Sequence, residues 1–211
     1  MKSKVTISIV SLITILLLIN CGGGSSLKDN KYLGKYPSLL KQSYKEAMDT
    51  KKKIQVAMKN EDMEKYKELA TKAQQMAQKH KEKIDKYLKE NPLKNKELPF
   101  EPLENTPYTI KKVKIREASV DGLGLNFPVK VNEDIKGQYS LKKHLNIYFK
   151  AIDTEGNVIK GRKKIARNAL NETLKAGKTL DNVNTFYKDM DVKDFEDFAT
   201  FVEITKEEYN K

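Results

Sequence analysis

Cys21 is the only cysteine among 211 residues, and it is the one side chain whose surroundings specify a chemistry. Lys2 and Lys4 lie ahead of it, followed by fifteen uncharged and mostly apolar residues from Val5 to Ile19. Leu18-Ile19-Asn20-Cys21 closes that run, and Gly22-Gly23-Gly24-Ser25-Ser26 follows. A lone cysteine rules out disulfides within the chain and any cysteine-based metal cluster. His80 and His144 are the only histidines, too few for a His-rich site and a poor basis for a Ser/His/Asp or Cys/His arrangement. There is no Gly-rich phosphate loop, no His-Glu-x-x-His helix and no nucleophile elbow. No catalytic, cofactor-binding or metal-binding residue is therefore assigned. Carboxylate pairs that converge in space are invisible to this reading, but the chain has no tryptophan to serve as a sugar platform.

A positive start, an apolar run and a processing site together mark an export signal, and the run is shorter than the ~20 residues of a membrane-spanning helix. On these residues the chain resembles bacterial lipoproteins. In that family the signal is cut just before the cysteine, which carries a diacylglyceryl thioether and often an acylated amino group. The resemblance implies a signal peptide over 1–20 and lipid attachment at Cys21. The family usually has Gly, Ala or Ser before the cysteine, whereas this chain has Asn20. An ordinary secretory signal and an N-terminal membrane anchor stand as alternatives. Gly22 in place of Asp after the cysteine implies, by the same resemblance, the outer membrane where an envelope has two.

Two charged runs remain as candidate contacts. Asp189, Asp191, Asp194, Glu196 and Asp197 form the densest acidic stretch, but the spacing and the missing glycine depart from an EF-hand loop. A solvated turn is the expectation. Lys160, Arg162, Lys163, Lys164 and Arg167 form the basic counterpart, read as an exposed corner or a contact for anionic surface polymers. The whole chain carries +12, and +10 without Lys2 and Lys4. That excess is spread over both halves. With only Arg116, Arg162 and Arg167 for bidentate phosphate recognition, nucleic acid is not an expected partner.

The elements that would carry these residues follow in order. Residues 21–36 read as the lipidated cysteine and a flexible tether. Pro37 suits a first helical turn, and Leu40, Tyr44, Ala47, Ile54 and Met58 then share one helical face, with Lys51 its polar exception. A second seam runs Met63, Tyr66, Ala70, Ala73, Ala77, His80, Ile84, Tyr87. It is offset by two residues at Asn60-Glu61-Asp62, so an antiparallel hairpin is expected over 37–91, with Asn60 as N-cap. His80 reads as a buried structural histidine. Residues 92–107 belong to a stretch holding four of the six prolines, and they read as an extended connector and domain boundary.

From Tyr108 to Lys211 the periodicity is that of strands. Ile110 and Val113/Ile115 fall on opposite parities, which predicts a bulge near Lys111-Lys112. Leu125, Phe127, Val129 and Val131 alternate, with Pro128 suggesting a sheet edge. Leu145, Ile147, Phe149 and Ala151 make the clearest strand, a central one. Further strands are expected around 158–160, 170–175, 180–188 and 198–205. About seven short strands suggest an antiparallel sandwich, and the closing pattern over residues 140–205 resembles Ig-like (telokin-like) domains of bacterial lipoproteins. The expected fold class is thus α+β, a helical hairpin followed by an Ig-like β-sandwich. The expected role is non-catalytic binding or scaffolding at the membrane surface of the cell envelope, toward a protein or envelope polymer. Self-association or pairing through the hairpin is the alternative, and a carboxylate-based hydrolase is a third.

Overall fold

The computed structural model describes residues 27–135, 143–170 and 173–211; Cys21 and the expected signal peptide lie outside them, as do the side chains of His144, Lys160 and Arg162. Two long helices come first, α1 (Tyr36–Lys59) and α2 (Met63–Glu90), about 36 and 42 Å long at 1.5 Å per residue. They reverse where the seams are offset, through Glu61 in the left-handed region at φ 56°. The cap is Asp62 rather than Asn60: its carboxylate accepts the Lys65 N–H at 2.9 Å. Asp62 wins because Glu61 takes the turn, leaving it the first residue that faces the orphan amides of α2.

Burial along the hairpin is uneven. Near its base α1 is covered on several sides, with Tyr36, Leu39 and Leu40 at most 4 % exposed. Toward the tip only Ile54 and Ala57 of α1 pack on Leu69 and Ala73 of α2, forming a separate small cluster. Val56, Met58 and Met63 are exposed around the turn.

Eight strands follow: β1 (Glu97–Glu101), β2 (Tyr108–Thr109), β3 (Lys112–Ser119), β4 (Gly122–Val131), β5 (Lys143–Asp153), β6 (Val158–Leu170), β7 (Thr179–Lys188) and β8 (Phe198–Glu203). They do not form an Ig-like sandwich. Seven of them close a barrel in the order β4-β3-β1-β8-β5-β6-β7, with β7 returning to β4, and β2 extends beside β4 beyond β3. The closing stave is β1, which lies inside the expected connector. It pairs antiparallel with β3 and parallel with β8. Pro99 and Pro102 hid this strand from a reading of sequence pattern. Inward alternation is the same for a sandwich and a closed barrel, so the strand pattern alone could not separate them.

Near the bulge expected at Lys111-Lys112 there is instead a break between β2 and β3 at Ile110-Lys111, and the register shift of β3 against β4 falls between Ile115 and Glu117. Pro128 is not at an edge: β4 pairs on both sides, and the proline occupies a register shift between Phe127 and Val129. A bulge tolerates the missing N–H as well as an edge does. β5 is central, between β6 and β8. β6 runs to Leu170, so the strand expected over 170–175 reduces, among described residues, to the single bridge Ile135↔Leu174.

The lumen is filled by aromatic rings. Phe127 lies 4.6 Å from Phe149, Phe149 5.5 Å from Phe201, Phe201 4.6 Å from Phe198, and Tyr187 4.9 Å from Phe195. Each such side chain contributes roughly 1.5–3 kcal/mol by burial. Leu33, Tyr36, Leu39, Leu40, Ile84 and Leu93 belong to the same continuous core. Hairpin base and barrel are thus one packed body, and residues 92–107 do not separate two cores.

Candidate functional site

The functional candidates sit where the chain that follows Cys21 enters the folded body. Residues expected to be tether are in fact structured from about Lys28. Asn30 and Gly34 form an isolated bridge, and Gly34 takes φ 57°, a conformation open to glycine at little cost. The Asn30 side chain is 7 % exposed and fully used. Its Oδ1 accepts the N–H groups of Tyr32 and Leu33 at 2.8 and 3.0 Å, while Nδ2 donates to the carbonyls of Glu196 and Phe198 at 3.1 and 2.9 Å. Tyr36 reaches into the barrel end, where its single phenol proton is shared between the carbonyls of Ser119 and Gly122, both at 2.7 Å from Oη. Burial raises the Tyr36 phenol far above its ordinary pKa. It is a fixed neutral donor.

The acidic stretch is part of this junction. Asp189 and Asp191 lie in a single helical turn, α3 (Asp189–Val192), and Phe195–Asp197 form a 3-10 turn. Glu196 accepts from Ser38 Oγ at 2.8 Å and pairs with Lys41, and Asp197 pairs with Lys28. Asp191 faces Lys164 at 3.4 Å, and Asp194 pairs with Lys193 at 2.7 Å. Four of these carboxylates therefore face lysines, of the N-terminal turn, α1, β6 and the stretch itself. Among the described residues no group of three or more His, Cys, Asp or Glu is placed to hold a metal. Two clefts flank the N-terminal turn. One, of about 510 Å³, is lined by Asp29, Lys35, Tyr87 and Asn91; the other, of about 520 Å³, by Lys28, Tyr32, Thr154 and Asp197.

His80 is buried, at 2 % exposure, and has an unforeseen companion in Glu46 of α1 at 7 %. The Glu46 Oε2–His80 Nε2 distance is 3.9 Å, too long for a hydrogen bond. Both Glu46 oxygens, His80 Nε2 and the nearby-in-sequence Ser43 Oγ are buried without hydrogen-bond partners. Burial pushes Glu46 up to about 6, against the pull of Lys83 and with a small push from Asp49. Burial also pushes His80 down to about 4, with Lys83 and Lys79 adding to it. Ser43, Glu46 and His80 are the residue types of a nucleophilic triad, but without a hydrogen bond linking serine to histidine the arrangement lacks a defining contact. The spacing Ser43–Glu46–Ala47 on a helical seam was the available sequence signal for this cluster.

The last buried acid, Glu203, stands at the opposite end of the barrel beside the connector. Its oxygens accept from Tyr108 Oη at 2.7 Å and from the Leu103 N–H at 3.2 Å. Burial raises its pKa against both hydrogen bonds, so it ties residues 102–108 to β8. The basic run lies on β6, where Lys163 donates to the Glu208 carbonyl at 2.7 Å in the terminal helix α4 (Lys206–Asn210). Its exposed-corner reading misses that Lys164 lies against Tyr187, with Nζ 5.2 Å from the ring centre. No protein-family model matches this chain, and no curated protein or solved structure does either.

Proposed function

We propose that this chain is a lipid-anchored protein of the bacterial cell envelope with a non-catalytic scaffolding role at the membrane surface. The observation that carries the reading is the seating of Lys28–Tyr36 in the joint between hairpin base and barrel. Only Gly22–Leu27 then separate Cys21 from a rigid body, and six residues span at most about 20 Å. A cysteine so placed holds the body close to a bilayer and fixes which end faces it. Among the described residues no helix is long and apolar enough to cross a membrane. The body supplies order and shape, and its buried polar groups serve packing. In an envelope with two membranes Gly22 favours the outer one.

The hairpin supports a second reading, self-association. Val56, Met58 and Met63 leave an apolar tip at 57, 42 and 52 % exposure. Glu61, Asp62 and Glu64 lie at the turn and Lys51, Lys52 and Lys53 two turns back, so a two-fold pairing of hairpins sets acids of one copy against lysines of the other. One experiment tests both. Cys21→Ser should move the folded protein from the membrane to the soluble fraction. The triple variant Val56→Asn, Met58→Asn, Met63→Asn should stay on the membrane and lose its chemically cross-linked dimer. A Cys21→Ser protein that remains membrane-bound would overturn the anchor, and an unchanged cross-linking pattern would overturn the pairing.

A further inference from the structure

A polar row crosses the outer wall of the barrel. Lys114 of β3 stands opposite Asn126 of β4, Asn126 opposite Asn184 of β7, Asn184 opposite Arg167 of β6, and Arg167 opposite Asn146 of β5. Their chain neighbours Val113, Leu125, Val183, Ala166 and Ile147 are fully buried, so strand alternation turns all five outward. Five strands spaced about 4.8 Å apart make the row roughly 19 Å long. Arg167 is exposed and the other four are half-buried. Much of the row's hydrogen-bonding capacity is unspent. Among the described residues neither Lys114 nor Arg167 makes an ion pair, whereas Lys112 and Arg116 of β3 and Lys150 of β5 each pair with a glutamate. The Oδ1 atoms of Asn126 and Asn146 accept no hydrogen bond. Phe186, two residues from Asn184 on the same face of β7, is 37 % exposed.

We propose that this row binds an extended acidic polysaccharide laid across the strands. The spacing of charge selects the ligand. Lys114 and Arg167 stand three strands apart, about 14 Å, with two asparagines between them. The matching occupant carries separated anionic groups joined by neutral units that both donate and accept. Sugar hydroxyls do both, as do the side-chain amides they would meet, and a uronate carboxylate complements a guanidinium or an ammonium. The Oδ1 atoms of Asn126 and Asn146 lie beneath the surface; the broad χ2 torsion of asparagine lets the amide turn either end to a hydroxyl. Phe186 offers an apolar ring to the C–H face of a sugar. A nucleic-acid strand carries a phosphate at every nucleotide and calls for stacked aromatic platforms, which two cations and one ring do not supply. The site names a partner for the scaffold reading but requires neither Cys21 nor a membrane, so the two fail separately.

The test uses the full chain in detergent and three fluorescent probes: an oligogalacturonide, its uncharged methyl ester, and a polyglutamate peptide of matching charge. The oligogalacturonide should bind by fluorescence polarisation, more weakly as salt rises, and more tightly than either other probe. Arg167→Gln and Lys114→Gln, on separate strands, should each weaken it about three- to tenfold. Asn126→Ala should weaken it about two- to fivefold, a loss that a merely basic patch would not show. Lys72→Gln, which removes an exposed lysine from α2, should leave binding unchanged. Circular dichroism of each variant checks that the fold survives. Failure of the oligogalacturonide to bind overturns the proposal. So does equal binding of polyglutamate, or a loss at Lys72→Gln equal to that at Arg167→Gln, since net charge alone would then suffice.

Discussion

Glu46 and His80 face each other across the helical hairpin at 3.9 Å, both buried, and neither the Glu46 carboxylate nor His80 Nε2 makes a hydrogen bond. Each such orphan costs about 1–3 kcal/mol relative to a satisfied group. Two apolar side chains of similar volume would remove that cost. Glu46→Leu combined with His80→Leu should therefore leave the hairpin as stable or more stable, read by urea denaturation at pH 7.

The pair also sets a pH dependence. Folded Glu46 titrates near 6 instead of 4.5, so the folded state holds the extra proton between those values. Its contribution is present on the acid side and is lost as pH rises through 6. Folded His80 titrates near 4 instead of 6.5, so the unfolded state holds the extra proton in that interval. Its contribution is present above 6.5 and is lost as pH falls toward 4. The two slopes oppose each other between about 4.5 and 6. Glu46→Gln should leave a chain that loses stability from pH 7 to pH 5, and His80→Gln one that gains it. Each change should be on the order of 1–2 kcal/mol; equal signs in the two variants would contradict this account of the pair.

Tyr36 ties the hairpin base to the β3–β4 turn through two carbonyls. Tyr36→Phe keeps the ring and removes the one O–H that the two carbonyls share. A loss of about 1–3 kcal/mol is expected. Tyr87→Phe removes one hydrogen bond to the Lys35 N–H, in an exposed position. It should cost less than half as much, measured by thermal unfolding of the two variants side by side.

Asn30 should matter more than its surface location in the sequence suggests. Asn30→Ala deletes four hydrogen bonds in one step, a loss of about 2–6 kcal/mol at roughly 0.5–1.5 kcal/mol each. The N-terminal turn should then open before the barrel does. Limited trypsin digestion is expected to cut at Lys28, Lys31 or Lys35 in the variant well before it cuts the native chain.

Gly122 begins β4 at φ 143°, and a Cβ there would stand 2.0 Å from the Tyr187 carbonyl oxygen. The obstacle is backbone, so it cannot swing aside. Gly122→Ala should destabilise by more than about 3 kcal/mol, whereas Gly156→Ala, with open space around its Cβ, should cost only its positive-φ strain. Comparing midpoints of denaturation for the two separates close approach from backbone strain.

The helices were legible because their seams are local. The offset between Met58 and Met63 marks the reversal, and the alternation Leu145-Ile147-Phe149-Ala151 marks the central strand. Closure was not legible. It depends on Phe100 and Glu101 lying parallel to Phe201 and Val202, a contact between segments a hundred residues apart, and two prolines disguised the strand that makes it. Likewise the Gly/Ser character of residues 22–26 was extended too far toward Tyr36. Leu33 and Tyr36 are fully buried, but three residues apart they display too short a pattern to stand out. The Glu46–His80 pair escaped notice because a helical face admits a polar residue without changing its period.

The most direct test of the scaffold account is the intact mass of the mature protein purified from its own envelope. The expected result is a chain that begins at Cys21 and carries the added mass of a diacylglyceryl group, with or without a further acyl chain. A chain with an unmodified Cys21, or one that begins elsewhere, would contradict it.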